Sequence, residues 1–261
     1  MSSYCAGCQK PASSASWTAF GIASSWKACC HASSLASAVG RRARAVAGLG
    51  TAEPGSDAQL QWSRTLAAAA RGEEHVRVLR GLLDGSVGFP GLTVDADARW
   101  AFLCGLVAIG AAGDAEIDAE AARDATATGV RRAATARALR PTAEAKEQAW
   151  QQAFHDDDIP NAVHEALLAG FWHPAQRELT AGYVERYFAD IRPLWDRRPG
   201  EIAKNAVQYL FPPVVEQRTL DAADAWLAGP AQPAPLRRLV SEGRDGIARA
   251  LRCRARDATA T

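Results

Sequence analysis

The feature that most constrains this chain is a helical period of apolar residues, which continues through nearly all of it after residue 55. Val76, Leu79, Leu82 and Leu83, for example, recur at the three- and four-residue spacing of one helix face. Short turn-forming segments separate such stretches, and no run has the β-branched alternation of a strand. The pattern therefore predicts an all-α chain of about a dozen helices, two in every 35–45 residues or so.

Paired helices of this length favour one architecture. Short connectors make consecutive helices antiparallel, and stacked antiparallel pairs form an α-solenoid of the HEAT or armadillo kind. The sequence contains no self-similar repeat, so a compact non-solenoid bundle is the alternative. The helix that contains Trp100 is apolar on all sides, which predicts that it is buried.

Several helix boundaries can be predicted from local signals. Asp95 is expected to cap the helix that follows it, and further helices are expected over 142–154, 159–170 and 178–191. The acidic run 156–158 is expected to serve the N-terminus of the next helix through capping and the helix dipole. It does not predict a calcium loop, because the glycine and terminal glutamate of such a loop are missing.

Charge and hydropathy exclude whole classes of protein. The 261 residues contain 30 Lys and Arg against 29 Asp and Glu, a net charge of +1, which argues against a nucleic-acid partner for the chain as a whole. No stretch approaches the roughly 18 apolar residues that cross a bilayer, so no membrane association is expected. Beyond residue 50 the cysteines are Cys104 and Cys253, which do not form a disulfide framework. We therefore expect a reduced, cytoplasmic protein.

Residues 1–45 differ in composition from the rest. They contain no Asp or Glu and are rich in Ser and Ala, which predicts a disordered tail or residues added by a mis-set start or frameshift. An organelle transit peptide is one alternative. A zinc site is another, with ligands from Cys5, Cys8, Cys29, Cys30 and His31, but the adjacent Cys29 and Cys30 suit tetrahedral closure poorly. A second short disordered end is expected over 257–261, which leaves 46–256 as the folded domain.

Catalytic motifs are missing from the sequence. Zinc peptidase chemistry needs His-Glu-x-x-His, because two histidines one helical turn apart can reach one metal ion. His164-Glu165 is followed by Leu168 where the second histidine would stand, so His164 is expected to be a surface histidine without a metal. A nucleophile elbow, a phosphate loop and a dinucleotide fingerprint are likewise absent. We predict no catalytic and no metal-binding residue in this chain.

Two stretches are denser in aromatic and arginine residues than the rest. Trp172, His173, Tyr183 and Arg186 are our candidates for a surface that faces a substrate or a partner domain. Aromatic packing between helix layers is the alternative for the same residues. The arginine-rich stretch 237–256 can contact an anion, but its interleaved acids favour a solvated helix with internal salt bridges.

Several segments together resemble one known family. They are EPGSDAQLQ at 53–61, LLDG at 82–85, GLTVDADARW at 91–100, GFWHPAQ at 170–176, YVERYF at 183–188, LRRL at 236–239 and RALR at 249–252. In combination they resemble the C-terminal helical domain of the aminopeptidase N family of zinc metallopeptidases, in the form shared with endoplasmic-reticulum aminopeptidases and most similar to the actinobacterial type. The resemblance covers roughly 45–256.

This resemblance implies a helical domain that covers the substrate chamber of an aminopeptidase and contacts longer peptides. In the family a separate domain holds the zinc site and the Gly-x-Met-x-Asn loop, so no catalytic residue is carried over. We therefore expect a fragment without cofactor that is inactive alone, and whose partners are the zinc-containing catalytic domain and the peptide substrate. A freestanding helical-repeat interaction module is the alternative function.

Overall fold

The computed structural model describes residues 44–198, 200–230 and 232–259. The predictions of a disordered tail, a transit peptide and a zinc site at Cys5, Cys8, Cys29, Cys30 and His31 fall outside the described residues. The described residues form helices and contain no strand, so the predicted all-α class is confirmed. No helix among them is long and apolar enough to span a membrane.

The helices follow one another with short connections throughout the described residues. They are α1 (44–51), α2 (Asp57–Ala68), α3 (Gly72–Asp84), α4 (Ala96–Ala108), α5 (Asp114–Arg123), α6 (Ala127–Leu139), α7 (Ala143–His155), α8 (Asn161–Phe171), a 3₁₀ turn (Pro174–Gln176), α9 (Arg177–Thr180), α10 (Tyr183–Arg197), α11 (Glu201–Tyr209), α12 (Gln217–Ala228) and α13 (Ala234–Thr259).

Two rows of helices make up the body. In the first row α2, α4, α6, α8, α11 and α13 pack side by side in that order. In the second row α5, α7, α10 and α12 pack against the first, and α3 packs on α2 and α4. The chain runs back between successive helices of the first row, through one helix at each step except between α8 and α11, where α9 and α10 intervene. Helices of one row therefore run in the same direction. Stacked antiparallel pairs require such rows, while the HEAT or armadillo assignment itself stays a prediction.

Small residues let neighbouring helices of the first row approach closely. Gly170 of α8 lies against α6, where a Cβ would stand 2.3 Å from the carbonyl oxygen of Thr135. The Thr135 hydroxyl donates to the carbonyl oxygen of Ala166 at 2.8 Å across the same interface. Gly105 of α4 lies equally close to Ala67 of α2. Glycine is required at such positions because any side chain would collide with the backbone of the next helix.

The buried apolar side chains form three clusters along the rows rather than one central core. One cluster joins α1 to α4, a second lies between α4 and α6, and the third and largest extends from α6 to α13. Trp100 is almost completely buried in the second cluster, as the all-round apolar pattern predicted. Because α4 contributes to the first two clusters and α6 to the last two, these two helices connect one cluster with the next.

Several predicted boundaries are confirmed. The Asp95 carboxylate accepts a hydrogen bond from the Ala98 N–H at 2.8 Å and caps α4. The Thr142 hydroxyl accepts from the Ala145 N–H at 3.1 Å and caps α7. Each cap satisfies a backbone donor that has no partner inside its helix.

Two predicted boundaries are wrong. The acidic run 156–158 does not cap α8, whose N-cap residue is Pro160, without a side-chain hydrogen bond. Asp157 instead pairs with Arg197 of α10 at 2.8 Å, a partner 40 residues away that local signals do not reveal. The helix predicted over 178–191 is divided into α9 and α10, which begins at Tyr183.

The expected domain limits at 46 and 256 stay a prediction. Near the first limit, Ala45 and Leu49 of α1 are fully buried against α2 to α4. Near the second limit, α13 is helical up to Thr259.

Candidate functional site

The dense stretch around Trp172 lies across the C-terminal ends of four helices of the first row. Helix C-termini leave backbone carbonyl oxygens without intrahelical partners, and their partial charge is negative. Since α4, α6, α8 and α11 run in the same direction, their last turns come together at one edge. We call residues 171–176 together with Lys146 the helix-end junction, because the side chains of Lys146, Trp172 and Gln176 donate hydrogen bonds to these carbonyl oxygens.

Gln176 connects two helix ends at once. Its side-chain amide donates to the carbonyl oxygens of Ala108, at 2.8 Å, and Leu139, at 2.7 Å, which are the last residues of α4 and α6. Gln176 is 3% exposed, and its Oε1 has no hydrogen-bond partner among the described residues. A single amide therefore joins segments that are 68 residues apart in the chain.

Lys146 of α7 likewise connects two helix ends, in this case those of α6 and α8. Its Nζ donates to the carbonyl oxygens of Ala138, at 2.6 Å, and Phe171, at 2.8 Å, in the last turns of α6 and α8. Lys146 is fully buried, and burial lowers its pKa to about 7. The sequence contained a signal for this burial, because residue 146 lies on the same helix face as the buried Ala149 and Trp150.

Trp172 completes the helix-end junction at α11. Its indole N–H donates to the carbonyl oxygen of Leu210, the C-cap residue of that helix, at 3.2 Å. Tyr187, which is fully buried, donates its hydroxyl to the carbonyl oxygen of Val207 at 2.7 Å in the same helix end. The His173 Nδ1 accepts from the Ala175 N–H at 3.3 Å and caps the 3₁₀ turn.

Tyr183 and Arg186 belong to a second cluster, between α7 and α10. Two guanidinium nitrogens of Arg186 donate to the Glu147 carboxylate, the Nη2–Oε1 bond being 3.0 Å, and the Tyr183 hydroxyl donates to the same group at 3.2 Å. The hydrogen bond from Arg186 lowers the pKa of Glu147 to about 2. Burial, and secondarily the charge of Glu147, raise the pKa of Tyr183 to about 12.

Aromatic rings hold this second cluster in place. The guanidinium of Arg186 lies 5.5 Å from the ring centre of Trp150 and 5.6 Å from that of Tyr183. The Trp150 indole N–H donates to the Asp190 carboxylate at 2.7 Å. Sequence reasoning missed Glu147, Trp150 and Asp190, although the aromatic residue at 150 lies on the same α7 face as the buried Lys146.

The structure brings three of the four candidate residues into one region. The rings of Trp172 and Tyr183 both contact Phe171, at 4.9 and 5.1 Å between ring centres, and Arg186 lies over Tyr183. His173 follows Trp172 in the chain, and its Nδ1 accepts a hydrogen bond within the 3₁₀ turn. All four side chains are partly exposed, so each makes internal contacts and also leaves some surface to solvent.

The structure overturns the expectation for His164. It is fully buried, not on the surface, and its Nε2 is 3.1 Å from the carbonyl oxygen of Ala153 at the end of α7. Burial lowers its pKa, which favours a neutral ring. Within 44–198, 200–230 and 232–259 there is no group of three His, Cys, Asp or Glu side chains that can hold a metal ion.

Comparison with known protein families identifies the family of this helical domain. The family model described as the ERAP1-like C-terminal domain matches residues 14–249. The chain belongs to this family. The matched range begins inside the segment 1–45, which lay outside the resemblance found in the sequence. It includes the helix-end junction and the second cluster, in which Tyr183 and Arg186 contact Glu147.

A similar protein shows which kind of protein contains such a domain. A protein named Aminopeptidase N from Streptomyces lividans is 52% identical over 216 residues, which are 82% of this chain and 25% of the relative. The predicted resemblance to the C-terminal domain of aminopeptidase N is thereby confirmed. The chain spans a quarter of that relative's length, so it corresponds to one domain of an aminopeptidase.

Proposed function

We propose that this chain is the domain that covers the substrate chamber of a zinc aminopeptidase, an enzyme that removes N-terminal residues from peptides. The observation that carries the proposal is the 52% identity to a protein named Aminopeptidase N over 216 residues. The two rows of helices fit a HEAT-like solenoid, whose curvature provides an extended concave surface for such a role. The unbridged thiols of Cys104 and Cys253 fit a reducing compartment, so the proposal includes a cytoplasmic location.

In this proposal the zinc ion is bound by the catalytic domain. The sequence has Leu168 where a second zinc-ligating histidine would follow His164-Glu165, and His164 is buried against a backbone carbonyl. The described residues therefore do not fit a zinc site, since three protein ligands around an open position are needed. This chain would contribute the wall of the chamber and the position of the peptide, without a chemical step of its own.

We also propose that the edge formed by Trp172, His173, Tyr183 and Arg186 faces the catalytic domain or the peptide. Each of these side chains is held by internal contacts and remains partly exposed, as a preorganised contact surface requires. Tyr183→Phe and Arg186→Gln would test this edge, because they keep most of the packing and remove polar contacts. Arg238→Gln is the matched control, since Arg238 is an exposed arginine of α13 that pairs with Glu242 within the same helix.

The experiment mixes the purified chain with the separately produced remainder of the Streptomyces relative and measures sedimentation. We expect the chain to self-associate when alone, to bind the remainder in a mixed complex, and to bind more weakly in both edge variants but not in the control. Full binding by both edge variants would assign the edge to packing alone. If no complex forms at all, the freestanding interaction module replaces the chamber domain as the proposed function.

Activity provides a second test. The purified chain should not hydrolyse alanyl or leucyl amides, with or without added zinc, because the residues that the structure describes provide no group of three side chains for a zinc ion. Turnover by the chain alone that stops when a chelator is added would contradict the proposal.

A further inference from the structure

Three arginines from three different helices converge on two consecutive residues, Val215 and Glu216, in the connection between α11 and α12. Arg177 of α9 approaches Glu216 Oε1 with its Nη2 at 3.4 Å. Arg218 of α12 donates its Nε–H to Glu216 Oε2 at 2.8 Å. Arg254 of α13 donates to the carbonyl oxygen of Val215 at 2.6 Å. We call these arginines together with Glu216 the three-arginine cluster.

The charges in this cluster do not balance. Glu216 offers one carboxylate, and its two oxygens are taken by Arg177 and Arg218. Arg254 has no carboxylate partner among the described residues. Its pKa is lowered, first by burial and then by the positive charge of Arg177. Three guanidinium groups and one carboxylate have a net charge of +2, which a bound anion would neutralise.

The surroundings increase this positive potential. α12 begins at Gln217, directly after Glu216, so its positive dipole end lies at the cluster. Arg249, Arg252 and Arg256 on the last turns of α13 are exposed and form no ion pair within the part of the chain that the structure describes. Among the interleaved acids that predicted a salt-bridged helix, Glu242 pairs with Arg238 and Asp245 pairs with Arg244.

The cluster is accessible to a ligand. The side chains of Arg177, Glu216 and Arg218 are 50%, 44% and 45% exposed, whereas Arg254 is partly buried and held in place by its bond to the Val215 carbonyl. Guanidinium groups bind phosphate oxygens in a planar, two-pronged geometry, and a phosphate ester has a charge of about −1.5 to −2 at neutral pH. A phosphate dianion therefore matches the cluster in both charge and hydrogen-bonding chemistry.

We propose that Arg177, Arg218 and Arg254 form a binding site for a phosphate group, either free phosphate or the phosphate of a modified peptide. This site shares no residue with the helix-end junction or with the proposed contact edge, and it does not depend on the proposed function. Glu216 separates two of the arginines and neutralises part of their charge when the ligand is absent.

The test titrates inorganic phosphate into the purified chain by calorimetry, with sodium chloride added to keep the ionic strength constant. We expect saturable binding that weakens at least about fivefold in Arg218→Gln, because one charge-assisted contact is lost. Arg238→Gln, the exposed arginine paired within α13, should leave the affinity unchanged. Glu216→Gln should strengthen binding, since it raises the charge of the cluster from +2 to +3.

Peptides distinguish the two sources of phosphate. Tighter binding of a phosphoserine peptide than of free phosphate, with no binding of the unmodified peptide, would assign the site to modified chains. Equal or weaker binding of that peptide would assign it to free phosphate. The proposal is overturned if neither ligand binds, if Arg218→Gln and Arg238→Gln weaken binding equally, or if Glu216→Gln fails to strengthen it.

Discussion

The buried amine of Lys146 provides the sharpest test of the helix-end junction. Replacing it by methionine keeps the length of the side chain and its apolar stem but removes both hydrogen bonds, to Ala138 and to Phe171. A buried carbonyl left without a partner costs about 1–3 kcal/mol, and Lys146→Met leaves two. Removing a buried amine returns part of this cost. We therefore expect the free energy of unfolding to fall by roughly 2–4 kcal/mol near neutral pH.

The pH dependence separates this account from simple loss of packing. Lys146 has a pKa of about 7 in the folded chain and 10.5 as its ordinary value, so between these limits the unfolded chain holds more protons. The stability of the native protein therefore rises with pH across that window, by at most about 1.4 kcal/mol per pH unit. The C-termini of α6 and α8 favour the charged amine, which makes this slope an upper limit.

The measurement is urea unfolding of the native chain and of Lys146→Met at pH 7 and at about pH 9, where the slope predicts a change of up to about 3 kcal/mol. Comparing the two proteins cancels the titration of every other group, including the buried Cys104. We expect the cost of the substitution to increase with pH. A cost that stays the same at both pH values would refute the conclusion that the amine is desolvated, and a negligible cost would refute its role at the two helix ends.

Three further predictions concern other positions in the helices. Gly170→Ala should lower the free energy of unfolding by roughly 1–3 kcal/mol, because the added Cβ would collide with α6. Gly246→Ala should raise it by about 0.5–1 kcal/mol, because the added Cβ meets nothing within 4 Å and alanine is the better helix former. Thermal unfolding of both variants checks this, and equal effects would contradict the close approach. Thr219→Val should be neutral or slightly stabilising in urea unfolding, because the Thr219 hydroxyl is buried without a partner among the described residues; a clear loss would reveal a missed hydrogen bond. Burial lowers the pKa of His164 below the ordinary histidine value of 6.5, so below pH 6.5 the unfolded chain takes up a proton more readily than the folded chain. The native chain should therefore lose stability relative to His164→Leu as the pH falls below 6.5. A difference in stability that stays constant with pH would contradict this.

Local sequence patterns were enough to predict the features that depend on neighbours within a few residues. The helical period established the all-α class, and Asp95 and Thr142 identified two helix starts, because a cap acts on the turn directly beside it. The combination of short segments identified the family in the same way, because matching such segments does not require knowing which helices are in contact. The buried face of a helix could be predicted only where apolar residues recurred clearly at helical spacing.

Tertiary structure decided which helix ends lie next to one another, and with them the roles of the polar residues. Lys146, Gln176 and His164 have side chains that are ordinarily found at the surface, yet each is buried because it satisfies a carbonyl oxygen on another helix. Asp157 likewise pairs across the fold instead of capping the next helix. The free energy of such contacts depends on distances between residues far apart in the chain, which no local pattern specifies.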